Sequence, residues 1–323
     1  MKTFAFTCGD INGIGPEIVL KTINKINSQK NIQIVFICPI NVFKQTLKLV
    51  PAKFSYHYSK EFLFYQENPN SVLIYDFGTA KIKYGKETAN SGRISYNSIM
   101  TACKLAKEKK VDAIVTAPIS KFAFQKAKIK FPGHTELLAE YFGVKNYAMM
   151  FVSKKMKAGL ITIHISIKEI SRKLTKFKLE NTIDVITHSL RKDFGIEKPK
   201  VALLGLNPHS GENGKIGKEE VELINPVIKK YNKYLAGPFV PDAFFGNHLY
   251  KNFDCTIGIY HDQILIPFKL MNFDKGVNFT AGLPIVRTSP DHGTAFDIAG
   301  KGIANAQSTI EAFNFAKLIL KNR

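Results

Sequence analysis

No run of residues in this 323-residue chain is both long and apolar enough to cross a bilayer, so no membrane-spanning helix is expected. The opening residues, Met1-Lys2-Thr3-Phe4-Ala5-Phe6-Thr7-Cys8-Gly9-Asp10, lack the apolar run and cleavage site of a secretory signal. Cysteine is scarce as well. Cys8, Cys38, Cys103 and Cys255 lie far apart and form no CxxC pair, which argues against a disulfide framework. These absences lead to the expectation of a cytoplasmic protein with reduced thiols. Internal repeats, low-complexity tracts and flexible linkers are missing too, so a domain boundary has to be inferred.

Arginine is the other rarity. Arg93, Arg172, Arg191, Arg287 and Arg323 are the only ones among 46 basic residues, against 26 acidic ones, and the formal net charge is +20. Such a balance raises the question of a nucleic-acid partner. Base and phosphate recognition leans on arginine's planar fork, however. Here the lysines fall in scattered clusters, such as Lys107 with Lys109-Lys110 and Lys154-Lys155 with Lys157. A solvated lysine surface accounts for the charge better, and its field would attract anionic substrates.

What is present describes an ordinary globular chain, with 45% hydrophobic and 22% charged residues. Its length exceeds the usual single core, so two domains are expected. Short apolar or β-branched runs alternate with amphipathic stretches, which predicts an α/β fold with much parallel sheet. Strands are expected at Thr3–Cys8, Ile32–Cys38, Val72–Asp76, Ala113–Thr116, Ala148–Val152, Leu160–His164, Val201–Leu206 and Thr256–Tyr260. A helix should begin near Pro16, with Val19, Ile23 and Ile26 on its apolar face. Another should run through Ile99, Ala102 and Ala106, and the last should carry Ala312, Ala316 and Ile319.

Three groups of residues can carry chemistry. His164, His209 and His261 each sit at or just beyond the C-terminal end of an expected strand, the edge where open α/β sheets bind ligands. Three imidazoles meeting there would suit a divalent metal with positions left for substrate oxygens. Polar loop or core histidines are the plainer alternative. Glycine-rich segments form the second group. Gly9-Asp10-Ile11-Asn12-Gly13-Ile14-Gly15-Pro16-Glu17 joins a strand to a helix, where backbone N–H groups can face an anion or simply make a tight turn. Asp291, His292, Gly293 and Asp297 belong to a polar, glycine-bearing segment before the final helix. The third group is His134, Thr135, Lys269, Asn278 and Arg287. Arg287 lies in the apolar stretch Gly282–Ser289, and a buried arginine needs an anionic partner, either internal or on a substrate.

Read together, several strings resemble the 4-hydroxythreonine-4-phosphate dehydrogenase family of pyridoxal phosphate biosynthesis. They are Thr116-Ala-Pro-Ile-Ser-Lys121, Pro132-Gly-His-Thr-Glu136, Leu206-Asn-Pro-His-Ser-Gly-Glu212, Tyr260-His-Asp-Gln263 and Arg287-Thr-Ser-Pro-Asp-His-Gly-Thr294. Gly13-Ile14-Gly15-Pro16-Glu17 and His292–Gly300 also look like isocitrate and isopropylmalate dehydrogenase segments. The resemblance implies two α/β/α domains with a cleft between them, rather than an ordinary Rossmann fold. Residues 1–130 with 285–323 would form the cofactor side, and 131–284 the metal, substrate and dimerisation side. It further implies a homodimer with its active site at the interface, NAD or NADP as cofactor, and one zinc, magnesium or cobalt ion. His164, His209 and His261 would be the ligands, one of them contributed across the dimer. His134, Thr135, Lys269, Asn278 and Arg287 would bind a phosphorylated hydroxy acid, and Asp291, His292, Gly293 and Asp297 the cofactor. Asp242 and Lys269 are the catalytic candidates, with a bound water as a rival base. The reaction implied is oxidation of 4-phosphohydroxy-L-threonine with decarboxylation to 3-amino-2-oxopropyl phosphate.

The match is not uniform. Ile11-Asn12 stands where the family commonly has Pro-Ala, Ser120 where asparagine is frequent, and Ile264 where glycine is frequent. None of these removes an expected ligand. A sister dehydrogenase acting on 4-phospho-threonate or -erythronate is the nearest alternative. A basic nucleic-acid-binding protein, with no use for the histidines, is the remote one.

Overall fold

The computed structural model describes residues 1–64 and 71–323. Among these, the strands are β1 (Lys2–Thr7), β2 (Ile32–Ile37), β3 (Tyr56–Ser59), β4 (Val72–Tyr75), β5 (Ala113–Val115), β6 (Ala148–Val152), β7 (Lys157–Leu160), β8 (Val201–Leu204), β9 (Leu235–Phe239), β10 (Cys255–Gly258), β11 (Val277–Ala281) and β12 (Val286–Pro290). The helices are α1 (Gly15–Ile26), α2 (Ile40–Leu47), α3 (Ala89–Lys107), α4 (Lys121–Lys126), α5 (His134–Tyr141), α6 (Ile170–Lys173), α7 (Lys176–Lys192), α8 (Asn225–Lys230), α9 (Pro241–Gly246), α10 (His261–Asn272) and α11 (Gln307–Asn322). No helix among the described residues is long and apolar enough to cross a membrane.

The chain forms two compact units, Met1–Gly143 with Leu283–Leu320, and Val144–Gly282 with Lys321–Arg323. Helix α5, with Leu137 and Leu138 buried, lies in the first unit.

In the first unit the strand order is β3-β4-β2-β1-β5-β12, parallel throughout. Strand β1 runs in register with β2 from Lys2 opposite Ile32 to Thr7 opposite Ile37. All but the first residue of β1 is buried, the unbroken pattern of a strand covered on both faces. Pro16 occupies the first turn of α1, where its missing N–H costs nothing, and Ile18, Val19, Ile23 and Ile26 are buried behind it. Thr88 starts α3 by accepting from the Ser91 N–H, while the Ser91 hydroxyl accepts from the Thr88 N–H. Phe313 of α11 packs on Phe4 and Phe6, with ring centroids 4.7 and 6.2 Å away. Burying each such ring is worth about 1.5–3 kcal/mol.

The second unit has the order β11-β6-β7-β10-β8-β9. Pairing is antiparallel from β11 to β6 and from β6 to β7, then parallel through β10, β8 and β9. Its core joins Phe151, Leu160, Leu204, Phe244, Ile264 and Phe268. Most expected strands stand within a residue or two of their predicted ends. The exception is Leu160–His164. Strand β7 ends at Leu160, and the next main-chain groups, Ile161 and Thr162, donate to the Gly258 and Ile259 carbonyls as the chain leaves the sheet.

Candidate active site

Strands β7, β10 and β8 are neighbours and run parallel, so their C-terminal ends share one edge of the second unit. Beyond those ends come the three histidines. His261 opens α10, and His164 lies four residues past Leu160 with φ of 50°. His209 belongs to the turn Pro208–Gly214, also with positive φ. The rings of His164 and His261 have centroids 6.1 Å apart. Both line a cavity of about 260 Å³ together with Thr162, Tyr260 and Asp262. The Asp262 carboxylate accepts from His261 Nδ1 at 2.6 Å, which orients the ring and leaves the lone pair of Nε2 for a ligand.

The pair suits a divalent metal by chemistry, since His164 and His261 would each offer it an imidazole nitrogen. The full trio is not assembled within one chain: among the described residues no three His, Cys, Asp or Glu side chains form a metal-holding group. His209 therefore sits on the right edge but does not close a triad with the other two. Asp242 is exposed in the first turn of α9, Lys269 is half-buried in the last turn of α10, and Asn278 is half-buried on β11.

In the first unit, Arg287 on β12 is 2% exposed. Its Nε and Nη2 donate to Thr116 Oγ1 at 3.1 and 2.8 Å, and Nη2 also donates to Ser289 Oγ at 3.0 Å. Burial pushes its pKa down to about 10, while the nearby Glu136 carboxylate pulls the other way. His134 and Thr135 open α5. Burial holds the His134 imidazole well below its usual pKa, and the Arg287 charge lowers it further, against a backbone hydrogen bond with Ala117. His134 is therefore neutral near pH 7. Its Nε2 is enclosed and has no hydrogen-bond partner among the described residues.

The two glycine-bearing segments meet in the same unit. Ile14 N–H donates to the Thr294 carbonyl at 2.9 Å, and a Cβ on Gly13 would stand 2.6 Å from that oxygen, so only glycine fits. Asp291 N–H is held by Ser308 Oγ at 3.1 Å, and His292 Nδ1 lies 3.0 Å from the Gly293 carbonyl. Gly293 and Asp297 are exposed. The Gly9–Glu17 segment is thus a structural clasp on the expected cofactor loop. Asp10 and Asn12 are both fully buried in it. Asn12 Oδ1 accepts from Lys83 N–H and its Nδ2 donates to the Lys86 carbonyl, each at 2.7 Å, fixing the loop before α3.

Sequence reasoning named Arg287 and His261 but not the groups that hold them. Thr116, Glu136 and Asp262 lay within the strings singled out above, yet only the fold shows which side chains they touch.

The two-unit α/β fold is of the isocitrate dehydrogenase-like class. Isocitrate dehydrogenase from Methylococcus capsulatus shares the fold with a TM-score of 0.50 at 14% identity, over 98% of this chain and 85% of that one. The family follows from the sequence match: the model for the pyridoxal phosphate biosynthetic protein PdxA matches residues 29–316, and the chain belongs to that family. A curated 4-hydroxythreonine-4-phosphate dehydrogenase from Sulfurihydrogenibium sp. is 40% identical over 100% of both chains. The crystal structure of the Klebsiella pneumoniae 4-hydroxythreonine-4-phosphate dehydrogenase superposes with a TM-score of 0.84 at 34% identity, covering 99% of this chain and 98% of that one.

Proposed function

We propose that this chain oxidises 4-phosphohydroxy-L-threonine with NAD or NADP and a divalent metal, and that decarboxylation then yields 3-amino-2-oxopropyl phosphate. The observation that carries the reading is the His164–His261 pair, 6.1 Å apart on a cavity at the strand edge, in a chain of this family. The hydroxyl-bearing carbon gives up a hydride and its oxygen a proton, leaving a ketone β to the carboxylate. Carbon dioxide then departs, and a solvent proton completes the product.

When bound, the nicotinamide accepts the hydride and the metal stabilises negative charge on the reacting oxygen. His164 and His261 of one chain, with His209 of a second copy, hold the metal, and Asp262 keeps the His261 ring oriented. Arg287 supplies a permanent positive charge for the phosphate or carboxylate, with Lys269 as a second cation. Neutral His134 contributes a hydrogen bond through Nε2 rather than charge. Thr135 and Asn278 complete the substrate contacts, and Asp242 or a water takes the hydroxyl proton. Asp291, His292, Gly293 and Asp297 form the cofactor loop. A second copy also has a face to cover: Ile266 (59% exposed), Leu270 (83%) and Phe273 (80%) form one apolar stripe along α10, the helix that His261 opens.

The test uses metal-stripped protein, 4-phosphohydroxy-L-threonine, and each nicotinamide with zinc, magnesium or cobalt restored in turn. Metal-dependent nicotinamide reduction with carbon dioxide release is the expected result. Turnover of 4-phospho-threonate or -erythronate alone would transfer the protein to the sister activity, and no reduction with any of these substrates would sink the proposal.

A further inference from the structure

The histidine loops are tied to one another through main-chain groups and two buried side chains that no motif reading had assigned. Gln263 is 8% exposed and lies two residues beyond His261 in α10. Its Oε1 accepts from the Ile259 N–H at 2.7 Å, at the end of β10. Its Nε2 donates to the Gly205 carbonyl at 2.6 Å, where the chain leaves β8 towards His209. The other main-chain polar group of Ile259, its carbonyl, is engaged by Thr162. Thr162, 1% exposed and two residues before His164, donates to the Ile259 carbonyl from Oγ1 at 2.6 Å and from its N–H at 3.0 Å. The main chain of one buried residue, Ile259, thus couples the exits of β7, β10 and β8. Glu220, 1% exposed, fixes the far end by accepting from the Leu206 and Asn207 N–H groups at 2.7 and 2.8 Å.

We infer that Gln263, acting with Thr162 through the main chain of Ile259, is a positioning residue that fixes the loops of His164 and His261 to one another, and the His209 loop to both, for metal binding. The inference rests on the proposal that those histidines hold a metal. The side-chain hydrogen bonds of Gln263 and Thr162 are buried, so losing one partner leaves a donor or acceptor without water, at a cost of about 1–3 kcal/mol that the loops relieve by shifting. A shift of a few tenths of an ångström spoils ligand geometry without unfolding the sheet, and supporting groups of this kind change metal affinity by about 10–100-fold.

The experiment is a cobalt(II) titration of the full-length protein and its variants, followed by visible absorption and by competition with a chelator. Gln263→Met keeps the size and removes both hydrogen bonds. It should bind cobalt about 10–100-fold more weakly, with an altered spectrum and an unchanged far-ultraviolet circular dichroism signal. Thr162→Val should weaken binding likewise, whereas Thr162→Ser, which keeps the hydroxyl, should restore it. A folded Gln263→Met protein that binds as tightly as the parent, with the same spectrum, overturns the inference. Should that variant fail to fold, equal affinities for Thr162→Val and Thr162→Ser overturn it instead. His261→Ala separates the two levels of the argument. If His261→Ala binds like the parent, the metal assignment itself fails; if it loses cobalt while Gln263→Met does not, only the positioning role fails.

Discussion

Asp10 offers a sharp test of the physical reading, because its environment sets opposing effects against each other. The residue is fully buried between β1 and α1. Its carboxylate accepts from the Asn12 N–H at 2.9 Å and from Ser91 Oγ at 3.1 Å, both of which favour the charged form. Burial outweighs them, with the Glu87 charge adding to it, and raises the pKa from 3.8 to about 6. A rise of that size corresponds to roughly 3 kcal/mol, taken as an order of magnitude. Because the folded pKa lies above the unfolded one, the folded state holds the proton more tightly. The associated stability is complete below about pH 4 and is lost as pH rises through about 6. Asp10→Asn removes this titration while keeping an acceptor for the Asn12 N–H. Urea unfolding of parent and variant at a series of pH values from 4 to 7 isolates the effect as a change in their difference. Relative to the parent, the variant should gain about 2–3 kcal/mol between the ends of that range, most of it by pH 6.5. A difference that is flat with pH, or that moves the other way, would refute the argument that burial dominates at this site.

Arg287→Met removes a charge whose burial costs about 3 kcal/mol by its lowered pKa, and also removes hydrogen bonds to Thr116 and Ser289 worth about 1–3 kcal/mol. The two nearly cancel, so stability in urea should change by less than about 2 kcal/mol, while affinity for the phosphorylated substrate should drop at least about 100-fold. A loss of more than about 4 kcal/mol would show that the guanidinium is an internal strut for Glu136 instead. Leu270→Glu places a charge in the exposed α10 stripe, and if the proposed dimer uses that face, sedimentation should show the variant as a monomer and the parent as a dimer. An unchanged sedimentation coefficient removes that face from the proposed interface.

Much of the fold was legible because parallel strands buried on both faces write unbroken apolar runs, as in β1, β5 and β8. Four strands escaped notice because they break that rule. Strands β11 and β12 interrupt their apolar runs with Asn278 and Arg287. Strands β3 and β9 lie at sheet edges, β3 reading Tyr-His-Tyr-Ser and β9 Leu-Ala-Gly-Pro-Phe, whose internal proline suits an edge. The histidines were legible as a trio because each follows an apolar run. Which two of them approach each other was not, since that depends on turns in which His164 and His209 take left-handed backbone, a conformation open to histidine but marked by no pattern in these segments. Gln263 marks the deeper limit. Its partners are a peptide four residues back and a carbonyl 58 residues away, and main-chain groups carry no residue identity in a sequence. A buried amide side chain joining two strand exits is therefore written only in the fold. Where ligands hang from loops beyond neighbouring strands, the residues that bridge those exits are the ones to seek next after the ligands themselves.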